Sequence, residues 1–362
     1  MNTIKKITLL QFRNYSSASF DFTAPVTCIT GPNGSGKTNL LDAVYYLCYT
    51  KSYFSSYQQN AVQRGMDGFR IEGWFELDGR EERIACKWKG GKKEISANGV
   101  EYEKLTEHIG KYAAVMIAPD DMELINEGSE LRRKWMDGIL SQTDCDYLER
   151  LMNYQRVLQQ RNAWLKMQAT NPSTIRTELE FYNARLAADG TYIYECRKSF
   201  IVQFRPLLQN FYEQLSGGRE QVEIDYESDL LTKALATWLD TGLEHDLRMQ
   251  RTLRGIHKDD WAFSLNATPL KQFASQGQKK SFLFAIKLAQ YAYLAQVQKH
   301  LPILLLDDIF EKLDQSRMEA LLRIIRTPQF GQVLLTDTHA GRVQEAFGEE
   351  AQVQFINLSH HP

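Results

Sequence analysis

The sequence predicts an α/β protein in which a strand-rich head is interrupted by a helical insertion and completed by the C-terminal third of the chain. Three observations predict it. The apolar run Val26, Thr27, Cys28, Ile29, Thr30 leads into the glycine-rich octet GPNGSGKT at 31–38. From about residue 129 the alternation of short strands and turns gives way to helical period. After about residue 250 strand-like runs return, the clearest being Ile303, Leu304, Leu305 and Leu306, which close on Asp307 and Asp308.

Bulk properties bound the rest. The chain has 362 residues, 43% of them hydrophobic, enough for one large domain or two ordinary ones with proper cores. Cys28, Cys48, Cys86, Cys145 and Cys196 lie far apart with no CxxC pair, which argues against a zinc site or a disulfide framework and fits a reducing, cytosolic compartment. The opening residues Ile4, Lys5, Lys6 and Ile7 lead into a strand-like alternation, and no apolar run is long enough to span a membrane, so neither export nor insertion is expected. A formal charge of -2 leaves no basic footprint over the whole molecule, so a nucleic-acid contact has to come from a local patch.

In the head, strands are expected at 7–12, 19–22 and 26–30, then at 69–77 and 83–88, with Gly79 and Gly90-Gly91 as turns. The octet between them has a physical cause. Gly31, Gly34 and Gly36 leave room for the backbone to curl, so that successive N–H groups point at phosphates from the start of the next helix. Gly31, Pro32, Asn33, Gly34, Ser35, Gly36, Lys37, Thr38 and the adjacent Asn39 are therefore the candidate nucleotide-binding residues. Lys37 supplies a point charge to the outer phosphates, and Thr38 offers a hydroxyl to Mg²⁺. Leu40, Leu41, Val44 and Leu47 make the following helix amphipathic.

The insertion shows Leu151, Leu158 and Leu165 recurring every seven residues, and Leu179, Leu186, Ile193 and Phe200 doing the same. The spacing predicts two helices laid against each other as a short antiparallel hairpin. The break falls at Thr170, Asn171, Pro172, where Asn171 can cap and Pro172 can take the first helical position. The second helix is expected to close near Pro206 or at Ser216-Gly217-Gly218. At 1.5 Å per residue the first arm reaches about 30–40 Å, far short of a coiled-coil rod.

In the last third, 303–306 reads as a central parallel strand buried on both faces, and 332–336 as another strand of the same sheet. Asp307, at the strand end, is the candidate metal-orienting acid, with Thr38. Asp308 is the candidate general base for an attacking water. The segment SQGQKK at 275–280 precedes an apolar helical run, so that the Ser275 hydroxyl, the Gly277 amide and a helix N-terminus stand together. The expected boundaries are 1–125 for the first head lobe, 126–250 for the insertion and 251–362 for the completion of the head.

Taken together these segments resemble the RecF family of SMC-like, cassette-type (ABC-type) ATPases. The residues that carry the resemblance are ITLLQFRNY at 7–15, GPNGSGKTNLLDAVYYL at 31–47, APDDMELINEGSELRRKWMD at 118–137, GIHKDD at 255–260, FASQGQKKS at 273–281 and LLLDDIFEKLD at 304–314. The resemblance implies a cassette-type head with a helical insertion, ATP and Mg²⁺ as ligands, and a weak DNA-stimulated ATPase. It implies a homodimer closed by ATP, in which Ser275 and Gly277 serve the nucleotide of the other subunit and Asp314 lies in the loop crossing the interface. Arg13 falls where related heads place a basic residue near the nucleotide. Implied partners are DNA at single-strand gaps and junctions, RecR and RecO, and indirectly RecA and single-strand-binding protein, with no membrane. A second reading is a Rad50-like ATPase acting with a separate nuclease on DNA ends, and a third is an ATPase subunit of a membrane transporter.

The chain departs from the family pattern in places. Cassette ATPases usually carry Glu where Asp308 stands; the shorter Asp holds water less firmly and suits slow hydrolysis. Ile256 and Lys258 replace Pro and Arg, and Lys loses the two-pronged grip on phosphate. Glu311-Lys312 replaces a small residue and an acid, and His339 lies about two residues beyond the usual switch position. For DNA, two basic clusters are candidates: Lys87, Lys89, Lys92 and Lys93 around Trp88 at a hairpin tip, and Arg132 and Arg133 at the start of the insertion. The latter pair has the alternative of pairing with acids such as Glu127 and Glu130.

Overall fold

Alternating apolar residues build the strands and helical-period runs build the helices of this computed structural model, which describes residues 2–168, 176–218, 220–298, 300–309, 314–347 and 352–358. The strands are β1 (Asn2–Phe12), β2 (Tyr15–Asp21), β3 (Val26–Thr30), β4 (Gly68–Leu77), β5 (Arg80–Lys89), β6 (Lys92–Ala97), β7 (Val100–Glu101), β8 (Ala114–Ile117), β9 (Val222–Glu227), β10 (Asp260–Leu265), β11 (Thr268–Pro269), β12 (Ile303–Leu306), β13 (Val333–Asp337) and β14 (Val353–Asn357). The helices are α1 (Lys37–Tyr49), α2 (Glu123–Asn126), α3 (Ser129–Thr143), α4 (Cys145–Gln168), α5 (Arg176–Ser216), α6 (Leu235–Thr241), α7 (Leu243–Met249), α8 (Leu270–Phe273), α9 (Gln276–Gln298), α10 (Gln315–Ile325) and α11 (Ala340–Phe347). They form two compact units, one of Met1–Met122, Asn210–Glu220 and Ser275–Pro362, the other of Glu123–Gln209 and Gln221–Ala274.

The first unit contains an antiparallel sheet in the order β2-β1-β4-β5-β6-β7 and a sheet in the order β14-β3-β13-β12-β8, whose strands all run parallel. Strands from the first and last parts of the chain thus share one sheet. Burial on both faces explains why β8 and β12 read as unbroken apolar runs and why β13 opens on one, Val333 to Leu335. Helix α1 touches strands of both sheets, which is why it is buried nearly all round, from Leu40 to Tyr49. Between the sheets the Gln332 side chain acts as a short piece of ladder: it accepts the Ile4 N–H and donates to the Ile4 carbonyl, both at 2.8 Å. The pairing of β1 with β4 slips between Ile4 and Lys6, and Gln332 satisfies the backbone there. Asp121, from the PDDMELI segment, pairs with the buried Lys287 of α9 at 3.0 Å, and the same ammonium bonds the Met116 carbonyl at 3.1 Å.

In the second unit α4 and α5 run antiparallel. Tyr147 meets Arg197, Arg150 meets Asp189, Arg161 meets Asn183 and Trp164 meets Glu178, so residue numbers rise on one helix as they fall on the other. Leu179, Leu186, Ile193 and Phe200 are buried, as their heptad predicts. On α4 Leu151 and Leu165 are buried but Leu158 is only half-buried, its neighbours Val157 and Arg161 taking the inner positions. Thr170, Asn171 and Pro172 lie outside the described residues. Helix α5 continues through Pro206 to Ser216, so of the two expected ends the later one is observed.

Residues 251–274 sit in the second unit, not with the head. β10 pairs antiparallel with β9 and with β11, and that pairing is a long-range fact that local period cannot reveal. The GIHKDD element consequently belongs to a buried network. Arg197 bonds Asp137 and Asp259 at 2.7 Å and the Ile256 carbonyl at 2.8 Å, while Tyr154 bonds His257 at 2.9 Å. Ile256 is buried.

Candidate nucleotide-binding and signature site

The parallel sheet places the site. β13 lies between β3 and β12, so the C-terminal ends of all three face the same edge, β3 delivering the glycine-rich loop, β13 delivering Thr336 and β12 delivering Asp307. An open parallel sheet binds ligands at that edge.

The loop is shaped by what its glycines avoid. Gly36 has φ 103°, and a Cβ there would come within 2.6–2.9 Å of the side chains of Asn14 and Tyr15. The turn after β1 therefore packs against the start of α1: Tyr15 donates to the Gly36 carbonyl at 3.0 Å, and Asn39 donates to Asn14 at 2.7 Å. Gly31, at φ 151°, would clash with the Leu358 carbonyl at 2.8 Å. Lys37 is buried and folds back on its own loop, bonding the carbonyls of Gly31 at 2.8 Å and Pro32 at 3.1 Å. The Ser35 hydroxyl is buried without a hydrogen-bond partner among the described residues. Pro32, Asn33 and Gly34 form the exposed crown of the loop. A curled run of N–H groups, a lysine ammonium and an unsatisfied hydroxyl fit a polyphosphate.

Thr38 Oγ1 lies 2.9 and 3.0 Å from the two carboxylate oxygens of Asp307. Residues 269 apart in sequence are thus brought into direct contact. Thr336 Oγ1 donates to Asp307 at 2.9 Å and accepts the Asp308 N–H at 2.9 Å. Burial pushes the Asp307 carboxyl up to about 6, opposed by the hydrogen bonds from Thr336 and Thr38. A hydroxyl and a carboxylate held together at a phosphate loop are the donor set of a hard divalent cation such as Mg²⁺. β12 ends at Leu306, Asp308 takes φ 45°, and its Oδ1 stands 3.5 Å from Thr336 Oγ1.

Ser275 begins α9 as a capping box: its exposed hydroxyl accepts the Gln278 N–H at 3.2 Å, and Gln278 accepts the Ser275 N–H at 2.7 Å. Gly277 is in the first turn. Asp314 caps α10 by accepting the Arg317 N–H at 3.0 Å. Glu311 and Lys312 lie outside the described residues. His339 is exposed, its N–H bonded to Asp337 at 2.6 Å.

Arg13 is tied to an acid of α1. Its guanidinium grips the fully buried carboxylate of Asp42 at 2.5 and 3.0 Å and bonds Ser52 at 2.8 Å. Its neighbours Asn14 and Tyr15 are the residues that touch the loop. They stood in the same FRNY segment, but nothing local distinguishes them from Arg13. Thr336 is likewise a strand residue until the sheet sets it between two acids.

Both basic clusters are resolved into individual roles. In the β5–β6 hairpin Trp88 pairs with Lys93, and Lys89 with Lys92. Trp88 stacks on Phe69 at 6.4 Å and packs on the core, and Lys93 bonds the Thr50 carbonyl at 2.7 Å on that same side. Lys87, Lys89 and Lys92 are exposed, with Glu94 at 3.5 Å from Lys87 and 3.0 Å from Lys92. Arg132 makes a two-pronged pair with Asp260 at 2.7 and 2.8 Å and bonds the Glu127 carbonyl at 3.0 Å, while Arg133 bonds the Asp259 carbonyl at 2.7 Å. In the described arrangement both arginines are ties within the second unit.

Fold and site define a phosphate-loop ATPase head of the SMC type, divided in sequence by an inserted unit. The family model described as RecF/RecN/SMC N terminal domain matches residues 3–359. The DNA replication and repair protein RecF of Flavobacterium johnsoniae is 42% identical over 94% of this chain and 95% of its own. That of Cytophaga hutchinsonii is 39% identical over 94% of this chain and 90% of its own. The chain belongs to the RecF family. A solved structure of the recombination mediator protein RecF-ATP in the RecFOR pathway matches with TM-score 0.87 and 29% identity, over 93% of this chain and 92% of that one. The Smc head of Pyrococcus furiosus matches with TM-score 0.58 at 15% identity, over 99% of this chain and 94% of that one, a likeness of fold.

Proposed function

We propose that this chain is a cytoplasmic ATP-dependent DNA-binding protein of recombinational gap repair. ATP binding closes two copies on DNA at single-strand gaps or junctions, and slow hydrolysis releases them. The observation that carries the reading is the contact of Thr38 with Asp307 beside a loop shaped for polyphosphate, on a chain that also presents an exposed Ser275 at a helix start. The names of its relatives, in DNA replication and repair, and of a solved RecF-ATP complex support it.

Each residue has a role in this reading. The N–H groups of 31–38 and the Lys37 ammonium bind the phosphates, Lys37 exchanging loop carbonyls for phosphate oxygens. Thr38 and Asp307 would hold Mg²⁺, which would supply charge neutralisation to the phosphates. Asp308 orients and deprotonates water. Ser275 and Gly277 contact the nucleotide of the second copy, so that ATP is buried between heads and acts as the link. Lys87, Lys89 and Lys92 supply a salt-sensitive DNA contact. RecR and RecO are the partners through which RecA is helped onto DNA coated with single-strand-binding protein, and DNA stimulates a weak ATPase.

The test is sedimentation of Asp308→Asn with ATP and with ADP, with and without gapped duplex DNA. A dimer formed with ATP alone and strengthened by DNA supports the reading; a monomer under every condition overturns it. Lys37→Met is expected to lose ATP binding. Ser275→Arg is expected to bind ATP yet stay monomeric, and capture of RecR by the ATP-bound protein tests the partner.

A further inference from the structure

The missing side chain of Gly277 is filled from another helix. A Cβ at Gly277 would lie 2.9, 3.1 and 3.2 Å from Nη1, Nη2 and Cζ of Arg317, so the guanidinium rests against the first turn of α9. It is fastened there at two points, and the backbone of the same residue adds a third bond. Nε donates to the buried Ser281 hydroxyl at 2.7 Å, Nη1 pairs with the Asp314 carboxylate, and the Arg317 backbone N–H bonds the same carboxylate at 3.0 Å. One side chain therefore ties the start of α9 to the residue that caps α10.

Electrostatics gives this placement a meaning. A cation beside a helix N-terminus opposes the helix dipole, and the Asp314 carboxylate offsets it. A lysine could reach Asp314 but lacks the planar fork that covers Gly277 and bonds Ser281 at once. A simple packing role at an exposed helix end is met by any long side chain; this one joins the two segments that the proposed dimer has to present together.

We propose that Arg317 is a positioning residue for ATP-dependent pairing. It locks Ser275, Gly277 and Asp314 into one block, so that the N–H groups of α9 meet the nucleotide of a second copy in register. The inference rests on the reading of Ser275 and Gly277 as a signature acting across the dimer.

The test compares full-length Arg317→Ala, Arg317→Lys and Ser281→Ala with Ser275→Arg, all in the Asp308→Asn background, measuring ATP affinity of the monomer and the dimer dissociation constant in ATP. Arg317→Ala is expected to weaken the dimer roughly 10- to 100-fold, the loss of one charge-assisted anchor, with monomer affinity for ATP unchanged. Arg317→Lys is expected to restore little of it, and Ser281→Ala to weaken the dimer several-fold in the same direction, which carries the test if Arg317→Ala does not fold. Normal dimerisation of Arg317→Ala while Ser275→Arg stays monomeric overturns the role of Arg317 alone. Equal losses of monomer ATP affinity and of dimer also overturn it, since the residue would then act on the whole head. Normal dimerisation of Ser275→Arg overturns the reading beneath it.

Discussion

The Thr336 hydroxyl stands 2.9 Å from Asp307 Oδ1, on the strand that separates the phosphate loop from the acid. It spends its one proton on Asp307 and accepts the N–H of Asp308, so a single oxygen orients the two acids assigned to metal and water. Thr336→Val keeps the shape and removes both bonds. Hydrolysis is expected to fall by the equivalent of about 1–3 kcal/mol with ATP affinity nearly kept. The acid limb of the kcat profile is expected to move to higher pH, because Asp307 loses a hydrogen bond that holds its titration down.

Asp307 is a cost to the free protein. Burial raises it to about 6, above the ordinary carboxylate, so the folded chain holds a proton that the unfolded chain releases. Lowering the pH through 6 is therefore stabilising at this site, and above 6 the buried charge is a penalty. Asp307→Asn, without divalent cation, is expected to be more stable than the parent at pH 8 by about 3 kcal/mol, with the gap narrowing below pH 6 and closing toward pH 4. Thermal melts of both proteins across that range check it; a gap that widens toward acid refutes the assignment.

Arg13 and Asp42 form a nearly buried pair, with side-chain exposures of 18% and 0%. Removing the cation leaves a charge in the core with Ser52 and the Tyr53 N–H as its remaining partners among the described residues. Arg13→Ala is expected to cost about 3 kcal/mol of stability. Nucleotide affinity of the folded fraction should stay within about twofold, an affinity ratio worth roughly 0.4 kcal/mol. Chemical denaturation and nucleotide titration separate the two effects, and a large affinity loss at unchanged stability would return Arg13 to the nucleotide.

Two histidines set an acid limit. Burial pushes His108 and His257 down to about 4, against the hydrogen bonds that their Nε2–H groups donate to the carbonyls of Leu47 and Thr252. The unfolded chain protonates near 6.5 while the folded chain does not, so the stability they contribute is present above 6.5 and is lost as pH falls toward 4. Each is expected to account for about 2 kcal/mol between pH 7 and pH 5. His257→Asn should flatten that acid slope by one proton, read from denaturation midpoints.

The exposed lysine face is separable from the arginine pair. The triple substitution of Lys87, Lys89 and Lys92 by Ser is expected to reduce the slope of log affinity for DNA against log salt by about 2–3. Arg132→Ala should leave that slope alone and lower stability through Asp260, which loses its two-pronged partner. A slope unchanged by the triple variant would move the DNA contact off this hairpin.

Much of the architecture is legible because it is local. The phosphate loop, the α9 cap and the buried seam of α5 are each written in a few consecutive or periodically spaced residues, and burial of Leu179, Leu186, Ile193 and Phe200 follows from period alone. β8 and β14 are not legible in the sequence because runs of four or five residues carry no period, and no motif stands at their ends as the phosphate loop does after β3 and the acid pair does after β12. The reach of α5 through Pro206 is a tertiary decision, since packing along the rest of the helix outweighs one missing N–H.

By itself the sequence determined that this chain has a polyphosphate loop on a strand, a helical interruption and a pair of acids at the end of a buried strand. Those depend on residue type and spacing over short stretches. Only the tertiary structure decided that Thr336 stands between the acids, that Arg13 serves Asp42 while Asn14 and Tyr15 serve the loop, and that Arg317 covers Gly277. Charged side chains of the same kind are interchangeable in a sequence. Which one meets a ligand and which one neutralises a buried partner depends on sheet order and helix register, because hydrogen bonds act over about 3 Å and local spacing does not specify distances between residues hundreds of positions apart.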